Sequence, residues 1–271
     1  MATIRYFVVD AFASRPFTGN PAAVVPLEQW PDDKWLQNVA MEMNLSETAF
    51  FVPTQPGFHL RWFTPKVEVD LCGHATLATA KVISHLGLVS GQSEIVFASR
   101  SGMLIARLQP DSIELDFPIK PETSAQPPTG LVEALGAEPK YVGRNDFDYL
   151  VEVASEAVVR GLAPDFKQLS AVQCRGVIVT ARSADPAYDF VSRFFAPSAG
   201  IDEDPVTGSA HCCLADYWRK QLGKSNFTAY QASARGGVVR VEVSGDRVLL
   251  AGEAVIFAQG EILISTPHCS A

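Results

Sequence analysis

Short runs of β-branched and aromatic residues, broken by Gly, Pro, Asn and Ser, recur along the chain. They predict strands over residues 3–12, 22–27, 48–53, 59–63, 94–98, 104–108 and 113–117. The same texture returns at 149–153, 177–181, 190–195, 227–231, 238–243, 247–250 and 254–257, with a last strand at 261–264. Two stretches read differently. Residues 74–86 and 209–222 have helical composition and are small or apolar around most of the circumference. A helix apolar nearly all round is buried, so each is expected inside a curled sheet of its own half. The proline-rich segment 118–130 reads as a linker.

The two halves repeat one another. Arg61-Trp62-Phe63-Thr64-Pro65 leads to Cys72-Gly73-His74-Ala75, a helical run ending at Leu86-Gly87, and Ser101-Gly102 before a strand. Arg193-Phe194-Phe195-Ala196-Pro197 leads likewise to Thr207-Gly208-Ser209-Ala210, a run ending at Leu222-Gly223, and Gly236-Gly237 before a strand. Gly73 and Gly102 are 29 residues apart, as are Gly208 and Gly237. The offset between halves is 135 at the glycines and 132 at the arginines, which implies a short insertion, assigned to the acidic stretch Asp202-Glu203-Asp204. Such self-similarity predicts an α/β (α+β) chain of two pseudo-symmetric domains, each a barrel-like sheet around a central helix. The expected domains are 1–118 with a returning strand at about 259–271, and 119–258, with the active site in the cleft between them.

Composition narrows the function. A formal charge of −8 over 271 residues, with no basic stripe, argues against a nucleic-acid partner. No apolar stretch approaches the roughly 18 residues of a membrane helix, so no membrane partner is expected. The five cysteines follow no metal-ligand spacing and read as reduced thiols of a cytoplasmic protein. Cys212 and Cys213 read as helix filler. No nucleotide fingerprint, pyridoxal lysine context or metal cluster stands out, so neither cofactor nor metal is expected.

Each central helix opens at a glycine, Gly73 or Gly208, and a helix start attracts carboxylates and phosphates through its free N–H groups. The glycines equally serve a tight strand-to-helix turn. Glu47, heading the apolar run Thr48-Ala49-Phe50-Phe51, is either a capping or surface group or an acid/base whose pKa is raised by its neighbours. His74 stands where the helix dipole disfavours imidazolium, so it reads as a neutral donor or acceptor, or as structural. Asp204, before Pro205, is a turn residue or a site residue. Ser209 is a helix cap or a site residue.

The strings Asp10-Ala11-Phe12, Phe17-Thr18-Gly19-Asn20-Pro21, Ser46-Glu47-Thr48-Ala49-Phe50, Asp70-Leu71-Cys72-Gly73-His74-Ala75-Thr76 and Glu203-Asp204-Pro205-Val206-Thr207-Gly208-Ser209-Ala210 resemble the phenazine-biosynthesis PhzF family over nearly the whole chain. The resemblance implies the diaminopimelate epimerase-like fold and a homodimer. It implies catalytic roles for Glu47 as acid/base and for His74, Asp204 and Ser209, with Asn20, Cys72, Gly73, Thr207 and Gly208 binding substrate. It also implies an isomerase of biosynthetic type that shifts a proton on a small cyclic or unsaturated carboxylic acid, as family members do on a dihydro-hydroxyanthranilate.

Two other readings stand beside it. Proline racemases and amino-acid epimerases share the fold and set two thiols across the substrate carbon. Cys72 fits the first position, but Pro205 falls where the second cysteine belongs. A carboxylate-binding protein without catalysis is the third.

Overall fold

The computed structural model describes residues 3–263. Packing divides the chain into two units: one runs to Asp116 and resumes at Ala251, the other is Phe117–Leu250.

The first unit begins with β1 (Ile4–Ala11) and β2 (Asn20–Pro26). Helix α1 (Asp33–Met43) follows, then β3 (Glu47–Pro53), β4 (Phe58–Phe63) and the short β5 (Glu68–Val69). Helix α2 (Gly73–His85) precedes β6 (Glu94–Ser99), β7 (Gly102–Leu108) and β8 (Ile113–Pro118). Helix α1 was not anticipated. It starts because the Asp32 carboxylate accepts from Trp35 N at 2.6 Å, and it buries Trp35, Leu36, Val39 and Ala40 beside Phe50 of β3.

The second unit opens with β9 (Thr123–Ser124), α3 (Leu131–Leu135), β10 (Pro139–Arg144) and β11 (Asp148–Val153). Two short helices follow, α4 (Glu156–Gly161) and α5 (Phe166–Leu169), then β12 (Gly176–Arg182), β13 (Phe190–Ala196) and β14 (Ile201–Asp204). Helix α6 (Gly208–Leu222) precedes β15 (Asn226–Gln231), β16 (Gly237–Ser244) and β17 (Arg247–Gly252). The expected linker 118–130 is thus not free chain throughout, since β9 pairs with β10. Residues 254–257 and 261–264, expected as two strands, form one strand, β18 (Ala254–Ile262), antiparallel to β1; Ile264 lies outside the described residues.

The sequence repeat is a repeat of strand pairing. In the first unit β2 is parallel to β3, β3 antiparallel to β4, β4 parallel to β6, and β6 antiparallel to β7. In the second, β11 is parallel to β12, β12 antiparallel to β13, β13 parallel to β15, and β15 antiparallel to β16. Each central helix is buried around most of its circumference, α2 from His74 to Ala80 and α6 from Ala210 to Trp218. Helix α2 packs against β1, β2, β3 and β7, strands far apart in the sheet order, so the sheet curls about it.

One feature of the repeat is corrected. Arg61 grips Glu68 with two hydrogen bonds of 2.7 and 2.8 Å, and Arg193 grips Glu203 with two of 2.7 and 2.9 Å. Glu203 is therefore the counterpart of Glu68, already offset by 135, and is not inserted sequence. The extra residues lie before it, where the first unit turns tightly through Thr64 N to Val67 O and the second forms a 3-10 turn at Pro197–Ala199.

Candidate active site

Local geometry brings five side chains of the first unit together. Beyond β1 the chain bends through left-handed backbone at Phe12, Phe17 and Gly19, and Phe17 N donates to the Asp10 carboxylate at 2.9 Å. Gly19 is required, because a Cβ there would stand 2.2 Å from the Ala11 carbonyl oxygen. This turn delivers Asn20. Helix α1 ends at Asn44, in left-handed conformation, and β3 then begins at Glu47, opposite Ala22 of β2. The start of α2 supplies His74 and, as its N-cap residue, Cys72.

Asn20 is fully buried, and its Nδ2 meets His74 Nδ1 at 3.2 Å. Cys72 Sγ lies 3.6 Å from the same nitrogen. The opposite edge of the ring faces Glu47, with Nε2 3.2 Å from Oε2, and Ser46 Oγ lies 3.4 Å from Nε2. Glu47 Oε2 is shielded from solvent yet makes no aligned hydrogen bond among the described residues, so the His74 contact is ionic.

The protonation expected from the sequence reverses. Burial acts to raise the Glu47 pKa, as its apolar neighbours suggested, but the His74 charge and the contacts from His74, Ser46 and Cys72 prevail and hold it below the ordinary carboxylate value. Burial also acts to lower His74, yet its contacts with Cys72 and Glu47 raise its pKa well above the usual imidazole value. The Cys72 thiol is pushed up by burial and by Glu47, against the opposing pull of His74 and the Ala75 N–H. The cluster therefore presents a carboxylate base beside a protonated imidazole, with a thiol in attendance.

Glu47, Cys72 and His74 also form a set of three donors within 4.8 Å of one another. The thiol and the carboxylate address opposite nitrogens of one ring, an arrangement that suits proton handling better than chelation through a single nitrogen.

The second unit builds the start of α6 with different chemistry. Thr207 is the N-cap residue, in the extended conformation that Cys72 adopts before α2, and neither helix start carries a side-chain cap. Ser209 is thus not a cap. Thr207 Oγ1 donates to Asp204 Oδ2 at 2.5 Å, while fully buried Gln231 accepts from Thr207 N at 2.8 Å and donates to Asp204 O at 2.7 Å. Asp204 and Thr207 are therefore one braced turn. Ser209 Oγ accepts from Arg175 Nη2 at 3.1 Å.

The model of the family described as phenazine biosynthesis-like protein, PhzC-PhzF, matches residues 9–260. The chain belongs to that family. An uncharacterized isomerase of Halalkalibacterium halodurans is 51% identical over 265 residues, covering 97% of this chain and all of the relative. A crystal structure of a PhzF-family protein from Enterococcus faecalis superposes with a TM-score of 0.93 at 42% identity, covering 97% of this chain and 100% of that one. A predicted epimerase of Pseudomonas aeruginosa, 24% identical, shares the fold with a TM-score of 0.76 over 97% of this chain and 100% of that one.

In this PhzF-family chain the sequence left three neighbours of these side chains unassigned: Ser46, Arg175 and Gln231. Ser46 adjoins Glu47 in the quoted motif and was within reach. Arg175 and Gln231 lie outside every motif, 34 residues before Ser209 and 24 after Thr207, and only the fold brings them in.

Proposed function

We propose that the protein is a cofactor-independent isomerase that shifts a proton on a small cyclic or unsaturated carboxylic acid, with Glu47 as the base. The observation that carries this reading is the buried contact of Glu47 Oε2 with His74 Nε2 at 3.2 Å, beside a carboxyl held in its basic form. The Glu47 carboxylate takes a proton from a carbon of the substrate, and the electron pair left behind spreads into the conjugated system. Glu47, now a carboxylic acid, returns the same proton to another carbon of that system, so no net proton is consumed. His74 holds Glu47 ionised between turnovers and, as a cation, favours the negative charge that develops on the substrate.

The N–H groups at Gly73 and His74, and at Gly208 and Ser209, are offered to the substrate's anionic groups. Asp204, Thr207 and Ser209 are the proposed site residues of the second unit, and Cys72 lines the site of the first. The family's description supports a biosynthetic setting, and the homodimer stays what the resemblance implies. Unpaired Cys72, Cys174, Cys212 and Cys213 support a cytoplasmic one, and among the described residues no helix is long and apolar enough to cross a membrane.

The thiol racemase reading is weaker. The Cys72 thiol is held protonated, and its counterpart before α6 is the N-cap residue Thr207, not Pro205 as the sequence spacing suggested, and neither has a thiol to return a proton. The test is solvent deuterium incorporation over a panel of cyclic and unsaturated carboxylic acids. Glu47→Gln is expected to lose about 10²–10⁴-fold and Cys72→Ala little. A dead Cys72→Ala beside an active Glu47→Gln would transfer the protein to the thiol class.

A further inference from the structure

Arg175 is built as few surface arginines are. Its Nε and one Nη2 hydrogen fork onto Asp148, a carboxylate whose side chain is only 1% exposed. The other Nη2 hydrogen goes to Ser209 Oγ at 3.1 Å. The guanidinium lies 5.1 Å from the centre of the Phe147 ring and 5.8 Å from that of Phe194. Gly176 makes this packing possible, because a Cβ there would stand 2.3 Å from Phe194 Cζ.

A guanidinium has five N–H donors, and three are accounted for. The two on Nη1 make no hydrogen bond among the described residues, and the side chain remains 40% exposed. Lys120 adds a second cation 5.6 Å from the other partner of Arg175, the Phe147 ring, and its backbone N–H donates to Cys212 O of α6 at 3.2 Å. In a chain of net charge −8, a fixed guanidinium with an open edge beside a serine is arranged for an anion.

The geometry points to Arg175 as a residue that reads a small carboxylate, its Nη1 edge taking one oxygen while Ser209, held by Nη2, fixes the approach. This inference rests on the proposed proton-shifting reading for its ligand class, a small cyclic or unsaturated carboxylic acid. Asp148 is a positioning residue here: it orients the fork and does not touch the ligand.

The probes are benzoate and cyclohex-1-ene carboxylate, each against its carboxamide, with binding measured by calorimetry on the whole protein. Wild type is expected to bind each acid more tightly than its amide. A hydrogen bond to a charged group contributes about 1.5–3 kcal/mol, so Arg175→Met should weaken the acids roughly 10- to 100-fold and leave the amides unchanged. Because Arg175→Met strands the buried Asp148 charge, the double variant Arg175→Met/Asp148→Asn removes the pair together, and Arg175→Lys keeps the charge without the fork. Circular dichroism checks that each is folded. Recovery of less than half the lost affinity in Arg175→Lys supports the fork. No preference for acid over amide in wild type, or an unchanged preference in the folded double variant, overturns the inference. Deuterium exchange is scored separately with Glu47→Gln. Carboxylate selectivity that depends on Arg175 without any exchange in wild type would leave this inference standing and remove the isomerase reading. Exchange with an unaltered KM in the Arg175 variants would do the reverse.

Discussion

Thr76 and His211 hold the same place in the two central helices, 135 residues apart, and each bonds back to the residue four before it. Thr76 Oγ1 donates to Cys72 O at 2.6 Å, and His211 Nδ1 lies 2.8 Å from Thr207 O. A carbonyl only accepts, so Nδ1 of His211 carries its proton. Both side chains tie down the carbonyl of the N-cap residue, and the two helix starts are stiffened alike by different chemistry.

The first prediction concerns histidine titration. Burial drives His211 down to about 4, against the Thr207 backbone bond, whereas His74 is raised. NMR of the ring carbons should show His211 neutral through the physiological range and His74 protonated well above the ordinary 6.5. Glu47→Gln should move His74 downward. A His74 that titrates at or below 6.5 in wild type would contradict the ion pair.

The second concerns stability against pH. Glu47 has a lowered folded pKa, so its contribution is present above the unfolded value and is lost as pH falls through the folded one. His74 has a raised folded pKa, so its contribution is fully present below the unfolded value and is lost as pH rises through the folded one. The pair therefore stabilises most between the ordinary values of 4.5 and 6.5. Urea unfolding of wild type and Glu47→Gln should differ most in that window and converge in acid.

Asn20→Leu is expected to take the buried amide away from the His74 ring, at a cost of about 1–3 kcal/mol. The measurement is the urea midpoint, together with the nitrogen chemical shifts of His74, which report the altered proton distribution. A variant with wild-type stability and unshifted His74 would show that the amide does not hold the ring.

Gly19→Ala should destabilise by about 2 kcal/mol or more, since it combines left-handed backbone with a Cβ 2.2 Å from a carbonyl oxygen. Because the same turn places Asn20, deuterium exchange should fall alongside the thermal midpoint. Retention of both would refute the strained-turn account.

Arg193→Met should cost about 3–5 kcal/mol, as expected when one partner of a largely buried ion pair is removed. The guanidinium also donates to Leu162 O at 2.7 Å, so the loss reaches α4. Arg61 has a second carboxylate, exposed Asp33, in place of those carbonyls. Thermal unfolding of the two Arg→Met variants should show the larger loss at Arg193.

Alternating apolar runs and glycine spacing made the strands and the twofold repeat legible, because these patterns are set locally. Helix α1 was legible in principle, since Trp35, Leu36, Val39 and Ala40 fall on one face, but it is short and has no counterpart in the repeat. The last strand was split in the reading at Gln259 and Gly260, which look like a break. In the fold they pair with Phe7 and Tyr6, and the glycine admits the Tyr6 ring, 2.7 Å from where a Cβ would be. Glu47 and His74 were legible through their motifs. Their protonation was not, because the apolar neighbours visible in sequence act against the charge of a partner 27 residues away, and the partner prevails.

The pairing of β18 with β1 also sets an order of assembly. Strand β1 leaves the ribosome before the second unit, but its partner residues, Ala254 to Ile262, are made only after the whole of that unit. At about 5–20 residues per second, β1 waits roughly 10–50 s for them. During that interval the nascent chain carries an unfilled sheet edge built from Phe7, Val8 and Val9. The domain begun first is thus closed last.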